Sequence, residues 1–355
     1  MIKEQSGVVS DCMMMAGSSD RAEYVSLSQG CGFVELSNWS SVTIRGQDRQ
    51  GFAHNFCTND IRRLSPGQCC EAFVTNVKGK ILGHGLFTCR EEEIVFVTVP
   101  DQGPKLVAHL ERYIIREDVE VRDTTAERAY VLVAGGPPAR LAFAALAAAA
   151  TAPSEEKLFS PWLNGLAELA DVPVRWIRWD LLGEVFCLLL ETKPAEQPRV
   201  CQALRAGETV FPCAGFEHGE QAFHALRIEA GMPLFGIDFD EHNLPQEVGR
   251  DREAISFTKG CYLGQETVAR IDALGHVNQR VVGVRFWSTE IPTRGLELSV
   301  AGEKVGHVTS ATFSPRLDAP LALAMVRREA NRTGSRLDSP LGPCEIVALP
   351  VGGPV

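Results

Sequence analysis

The chain lacks a long apolar run. Its longest, LAFAALAAAATA at 141–152, is dominated by alanine and falls short of the roughly 20 residues a bilayer span needs. It reads as a soluble helix, with no membrane partner. There is no excess of positive charge either. Lys and Arg number 35 against 45 Asp and Glu, a net charge of −10, which disfavours a broad phosphate-tracking surface and hence a nucleic-acid partner, while leaving room for a local basic pocket. The eleven cysteines, an odd number spread along the chain, contain no Cys-x-x-Cys pair. That excludes a zinc knuckle, argues against a disulfide framework, and points to the reducing cytoplasm. The start does not read as a signal peptide, because Glu4 and Asp11 precede a very short apolar run in CMMMAG at 12–17. Residues 1–22 are expected to form a disordered leader.

What is present is a long, varied chain. At 355 residues it exceeds what one core usually organises, so two or three domains are expected. FVELSNWSSVTIRG reads as two strands by alternation, and QDRQGFAHNFCTNDIRRL repeats its apolar positions at helical spacing. CEAFVTNVKGKILGHGLFTC reads as a hairpin with Asn76 and Gly79 at its turn, EEEIVFVTVP as a strand and QGPKLVAHLERYII as a helix. The same alternation of strands and helices runs from 126 to 207, which suggests a second copy of the first unit. Beyond Gln279 short strands follow at close intervals, broken by glycine and proline, as in a small β-barrel. The expected organisation is α+β: a first unit over 23–125, a second over 126–279, and a barrel over 280–355.

The stretch TKGCYLGQE at 258–266 stands apart. Gly260 and Gly264 permit backbone angles closed to other residues and let a partner approach closely. Lys259 and Arg270 are charges of the sign that favours thiolate at Cys261, so this cysteine is expected to be reactive. By contrast Cys57, Cys89, Cys187 and Cys201 sit in apolar periodic runs and are expected to be buried. Vicinal Cys69 and Cys70 open a strand and should split, one buried and one half exposed. His218, His224, His242 and His276 lack metal-ligand spacing and read as surface or loop residues, and Glu91 to Glu93 as a solvated turn.

The run KGCYLGQETVAR, with Lys259, Gly260, Cys261, Tyr262, Gly264, Gln265 and Glu266, resembles the signature of the YgfZ family. These are folate-binding proteins linked to iron-sulfur cluster biogenesis and related to the glycine cleavage T-protein. LRIEAGMPLFGIDFDEHNLPQE at 226–247 and FVTNVKGKILGH at 73–84 are similar to segments of both groups. The resemblance implies a T-protein-like folate-binding fold of two similar units and a C-terminal barrel, with tetrahydrofolate in a central cavity. It implies folate contacts from Arg227, Asn76 and, more weakly, Glu184. The alternative for Arg227 is an ion pair with Glu229 or Asp238. T-proteins carry an aspartate pair after the hairpin turn, where this chain has Gly83 and His84; glycine supplies no base.

The implied function is a folate-binding accessory protein for iron-sulfur cluster assembly or repair, with Cys261 and Lys259 as its working pair. Its partners would be iron-sulfur client or assembly proteins, and no metal of its own is expected. The alternatives are a folate-dependent aminomethyl transferase and a non-catalytic folate-binding module.

Overall fold

The computed structural model describes residues 18–36, 38–148, 162–206 and 219–351. The first sheet has five antiparallel strands, and the alternating apolar runs of the sequence supply them. Its order is β3 (Cys69–Thr75), β4 (Ile81–Cys89), β5 (Glu93–Thr98), β2 (Ser40–Arg45) and β6 (Glu120–Asp123). The second sheet runs β1 (Cys31–Leu36), β7 (Ala129–Gly135), β10 (Phe186–Thr192), β9 (Val172–Arg178) and β8 (Asn164–Leu169).

The two orders repeat each other. Strands β2 to β5 stand to one sheet as β7 to β10 stand to the other. Helices follow in the same places: α2 (Arg49–Asn55) and α3 (Gly103–Glu111) in the first half, α4 (Pro137–Ala148) and α5 (Gln197–Ala206) in the second. Only the leading strands are exchanged. β1 pairs along its whole length with β7 of the second half, Cys31 opposite Gly135, and β6 pairs with β2 of the first, Val42 opposite Asp123. A division at 125/126 therefore leaves the first sheet whole but cuts the second, because β1 lies before that boundary and pairs with β7 after it. Helix α1 (Ser18–Ser28) also begins inside the stretch expected to be leader.

Strands covered on both faces need apolar residues on both, and β5 and β10 are buried throughout. In β7, Val131 and Val133 face α4 and α5, packing with Phe143, Leu146, Val200 and Leu204. The alternate residues Leu132 and Ala134 face the first sheet's Leu86, Val95 and Val97, in a shared core closed by α1 and by α6 (Glu220–Ala230). A buried ion network crosses between the sheets. Arg128 reaches Glu93 at 2.8 Å and Glu191 at 2.7 Å, and Arg45 reaches Glu93 at 2.7 Å. The expectation of a solvated turn at 91–93 is thus corrected for Glu93, whose strand alternation carries it inward to these arginines.

The short strands after residue 279 form a closed six-stranded barrel in the order β11 (Gln279–Phe286), β14 (Ala319–Arg327), β13 (Glu303–Ser314), β12 (Glu297–Val300), β15 (Arg336–Ser339) and β16 (Gly342–Val347). Val284, Phe286, Val308, Ala322 and Ile346 fill it. Its outer face shares a core with the hairpin's Phe73 and Ile81 and with Phe235 and Phe239. Among the described residues no helix is long and apolar enough to cross a membrane.

Candidate functional site

Two neighbouring arrangements meet at the β3–β4 hairpin. The first is the loop carrying Cys261. It is pinned by Lys259, which is buried and whose Nζ donates to the carbonyls of His54 at 2.6 Å, Cys57 at 2.7 Å and Asn59 at 2.8 Å. These carbonyls lie at and beyond the C-terminal end of α2, where a helix leaves acceptors unpaired and a cation is favourable. Three acceptors use all three ammonium donors. The Tyr262 ring centroid lies 4.7 Å from the same Nζ, and burial pushes the Lys259 ammonium below the ordinary lysine range. The assignment of Lys259 as a partner of the Cys261 thiol is therefore corrected: its charge is turned inward and spent on backbone.

The rest of the loop is held by main chain. Leu263 N donates to Asn55 O at 2.8 Å, and Thr75 Oγ1 donates to Leu263 O at 2.6 Å. Gly264 has φ +86°, and a Cβ there would lie 2.4 Å from Asn76 O and 2.7 Å from the Cα of Gly79. Gly79, at φ +72°, is equally crowded from the other side, by Thr267 and Gly264 O. The partner that the loop glycine admits is the hairpin's own turn. Gly264 also caps α9 (Gln265–Leu274), and Gln265 N donates to Tyr262 O at 3.1 Å. Gly260 has open space around its Cα, and Cys261 beside it is the one cysteine classed as exposed among those described. Glu266 and Arg270 are exposed on α9. Cys57, Cys89, Cys187 and Cys201 are buried, and Cys69 and Cys70 split into buried and half-buried.

The second arrangement was missed in the sequence. Glu71, on β3, is fully buried and accepts from Arg250 Nε at 2.8 Å, Arg250 Nη2 at 2.7 Å and Trp179 Nε1 at 3.1 Å. His84 Nε2 lies 2.8 Å from its other side. Burial alone would raise this carboxyl, but the Arg250 charge and the hydrogen bonds from Arg250 and His84 hold it well below the usual carboxylate range. An ionised carboxylate only accepts, so His84 carries its proton on Nε2 and donates. The imidazole stacks on Phe73 with centroids 4.6 Å apart, and Phe239 meets it edge-on at 5.7 Å. Gly83 packs beneath Leu106. The position after the hairpin turn thus holds a histidine whose Nε2–H is clamped to a buried carboxylate.

The residues expected to contact folate are dispersed. Arg227 is 1% exposed, and its guanidinium donates to Asp238 Oδ2 at 2.8 Å, His224 Nδ1 at 2.8 Å and Met232 O at 3.2 Å. Asp238 in turn accepts from Thr309 Oγ1 at 2.7 Å, which ties α6 to the barrel. The ion pair with Asp238 is the arrangement found, inside the protein. Asn76 Oδ1 accepts from Lys78 N and Lys80 N, closing the hairpin turn. Glu184 is exposed in the turn before β10. His242 and His276 are exposed, His224 is half-buried, and His218 lies outside the described residues.

Two family models match the chain in order: the GCVT N-terminal domain over residues 8–259 and the glycine cleavage T-protein C-terminal barrel domain over 279–351. An aminomethyltransferase of Rubrobacter xylanophilus is 28% identical over 333 residues, covering 93% of this chain and 85% of its own. One from a Synechococcus species is 28% identical over 326 residues, covering 89% and 84%. The crystal structure of the glycine cleavage system aminomethyltransferase T from Bartonella henselae is similar in fold, with a TM-score of 0.80 over 93% of this chain and 89% of that one at 18% identity. With the N-terminal model alone spanning well over half its length, and the barrel model following in register with the six closed strands, the chain belongs to the glycine cleavage T-protein family.

Proposed function

We propose that the protein binds tetrahydrofolate and handles a one-carbon unit on it, as a folate-dependent transferase of the aminomethyltransferase class. The observation that carries this reading is the likeness to aminomethyltransferases through both domains, 28% identity across 93% of the chain. Of the residues carried over from the resemblance, Arg227 donates to Asp238 and Asn76 Oδ1 accepts from the hairpin's own backbone, which speaks against a folate contact through those atoms. Glu71 fits better. A pterin edge presents two parallel N–H donors, and a carboxylate is their match. Those donors are supplied here by Arg250, so folate recognition at this carboxylate exchanges one planar donor pair for another. Tetrahydrofolate, when bound, supplies the nitrogen that carries the one-carbon unit. The chain's own contribution is an ionised Glu71 and the Nε2 proton of His84 held against it. The test is calorimetric titration with tetrahydrofolate, followed by turnover of an aminomethyl or formaldehyde adduct. Binding with turnover supports the reading, and binding without turnover refutes the transferase half of it.

A second reading is favoured by Cys261. An exposed thiol raised on a loop anchored by Lys259 and Gly264 suits a folate-binding accessory protein for iron-sulfur cluster assembly or repair, as the YgfZ-like signature implies. The thiolate would act as a nucleophile or as a transient cluster ligand. One cysteine cannot hold a stable cluster, so an iron-sulfur client or assembly protein in the cytoplasm would complete the ligand set. Cys261→Ser decides between the readings. Loss of cellular iron-sulfur enzyme activities with one-carbon turnover unchanged selects the second; intact activities reject it.

A further inference from the structure

A cavity of about 220 Å³ opens between the short helices α7 (Pro245–Val248) and α8 (Asp251–Ala254), the C-terminal end of α9, and the start of β11. It is used by neither reading above. Its walls are Phe257, Ile271 and Val277, and its polar groups are Gln246, Asp251, Asp272, His276 and Arg280.

Acceptors dominate this lining. Gln246 is 7% exposed, donates its Nε2 to Val268 O at 2.8 Å, and leaves a buried Oε1 with no hydrogen-bond partner. Asp251 Oδ2 accepts from Arg280 Nη2 at 2.6 Å, and its Oδ1 is likewise buried and unpartnered. A buried oxygen left unpaired is costly, so a ligand that donates to both is favoured. His276 Nδ1 lies 2.9 Å from Leu274 O and donates to it, since a carbonyl only accepts. Charge points the same way. Arg280 offsets one of the two aspartates, and Asp272 is left as a net negative charge at the rim.

We propose that this cavity is a binding site for a small guanidinium compound. A guanidinium is planar, cationic and donor-only, with N–H groups spread in several directions. That matches separated acceptors at Gln246, Asp251 and Asp272, and its face stacks on an aromatic ring such as Phe257. A neutral amide of the same shape satisfies fewer acceptors and leaves Asp272 uncompensated.

The test is titration of the full-length protein with ethylguanidinium, ethylurea and n-butylammonium, followed by ligand-observed NMR. Saturable binding of ethylguanidinium, with ethylurea and n-butylammonium each weaker by about tenfold, is expected; tenfold corresponds to about 1.4 kcal/mol. Asp272→Asn, at an exposed position, should weaken ethylguanidinium by a similar factor without altering the melting temperature. N-acetylarginine amide serves as a second arm. If it outbinds ethylguanidinium by about tenfold, the site reads the peptide groups flanking an arginine as well, and the proposal of a small guanidinium compound as occupant is overturned. Equal binding of ethylurea, equal or tighter binding of n-butylammonium, absence of saturable binding, or indifference to Asp272→Asn each overturns the proposal.

Discussion

Replacing Gly264 by alanine, with Gly260→Ala as its control, tests whether the Cys261 loop is built on backbone contact. At Gly264 the φ of +86° is left-handed, which costs an L residue about 1–2 kcal/mol. The added methyl would also stand 2.4 Å from Asn76 O and 2.7 Å from the Gly79 Cα. Both are main-chain atoms in a hairpin whose strands are paired, so they yield only by moving β3 against β4, and overpacking of this kind costs about 1–3 kcal/mol more. The sum is about 2–5 kcal/mol. At Gly260 a Cβ meets nothing within 4 Å, and the change should stay within about 0.5 kcal/mol, as surface substitutions do. Urea denaturation followed by tryptophan fluorescence measures both. If Gly264→Ala were as mild as Gly260→Ala, the crowding between hairpin and loop would be wrong. If both were costly, the loop's exposed crest would be wrong.

Lys259→Met should cost about 3 kcal/mol, because three carbonyls lose a charged donor and such bonds are worth about 1.5–3 kcal/mol each without adding fully; a loss under about 0.5 kcal/mol in urea would return the ammonium to solvent. Glu71→Gln should cost about 3–5 kcal/mol at neutral pH by stranding Arg250. The folded carboxyl lies below its unfolded value of about 4.3, so its contribution is full above that pH and lost as pH falls; melting curves of wild type and Glu71→Gln should converge in acid, and parallel curves would refute the pairing. Burial, with the Arg227 charge beside it, pulls His224 down to about 4. Stability held above pH 6.5 is then lost toward pH 4, and His224→Gln should shrink that loss. Iodoacetamide on the native protein should modify Cys261 ahead of every other described cysteine, as peptide mass spectrometry would show.

Much of the fold was legible because its signals are local. The turn at Asn76 and Gly79, the alternation in β3 to β5, and the barrel's close-set strands each declare themselves within ten residues or so. Which sheet a strand joins does not. FVEL reads as a strand, yet nothing in it says that its partner is β7, about a hundred residues on, and the exchange of β1 and β6 stayed hidden for that reason. The same limit explains Lys259. Two positions before Cys261 in sequence, it suggested an electrostatic pair, whereas the main chain sends one side chain to the end of α2 and leaves the other in solvent.

Glu71 shows what signal was available and overlooked. A glutamate in CEAFVT, followed by four residues that all bury, requires a cation or several donors, since an uncompensated carboxylate in a core is too costly to persist. That requirement follows from the strand alone. Its solution, Arg250, lies 179 residues away in sequence, and only the fold supplies it. The same pairing bears on function. His84, where the resemblance places an aspartate in T-proteins, donates its Nε2–H to Glu71 and is packed between Phe73 and Phe239, so Nε2 can serve as a base only if this cluster rearranges. If Glu71 is the folate anchor, Arg250→Leu, which frees the carboxylate, should raise tetrahydrofolate affinity while lowering stability. If affinity falls with stability, Arg250 and Glu71 are a structural tie, and folate, if bound at all, lies outside this cluster.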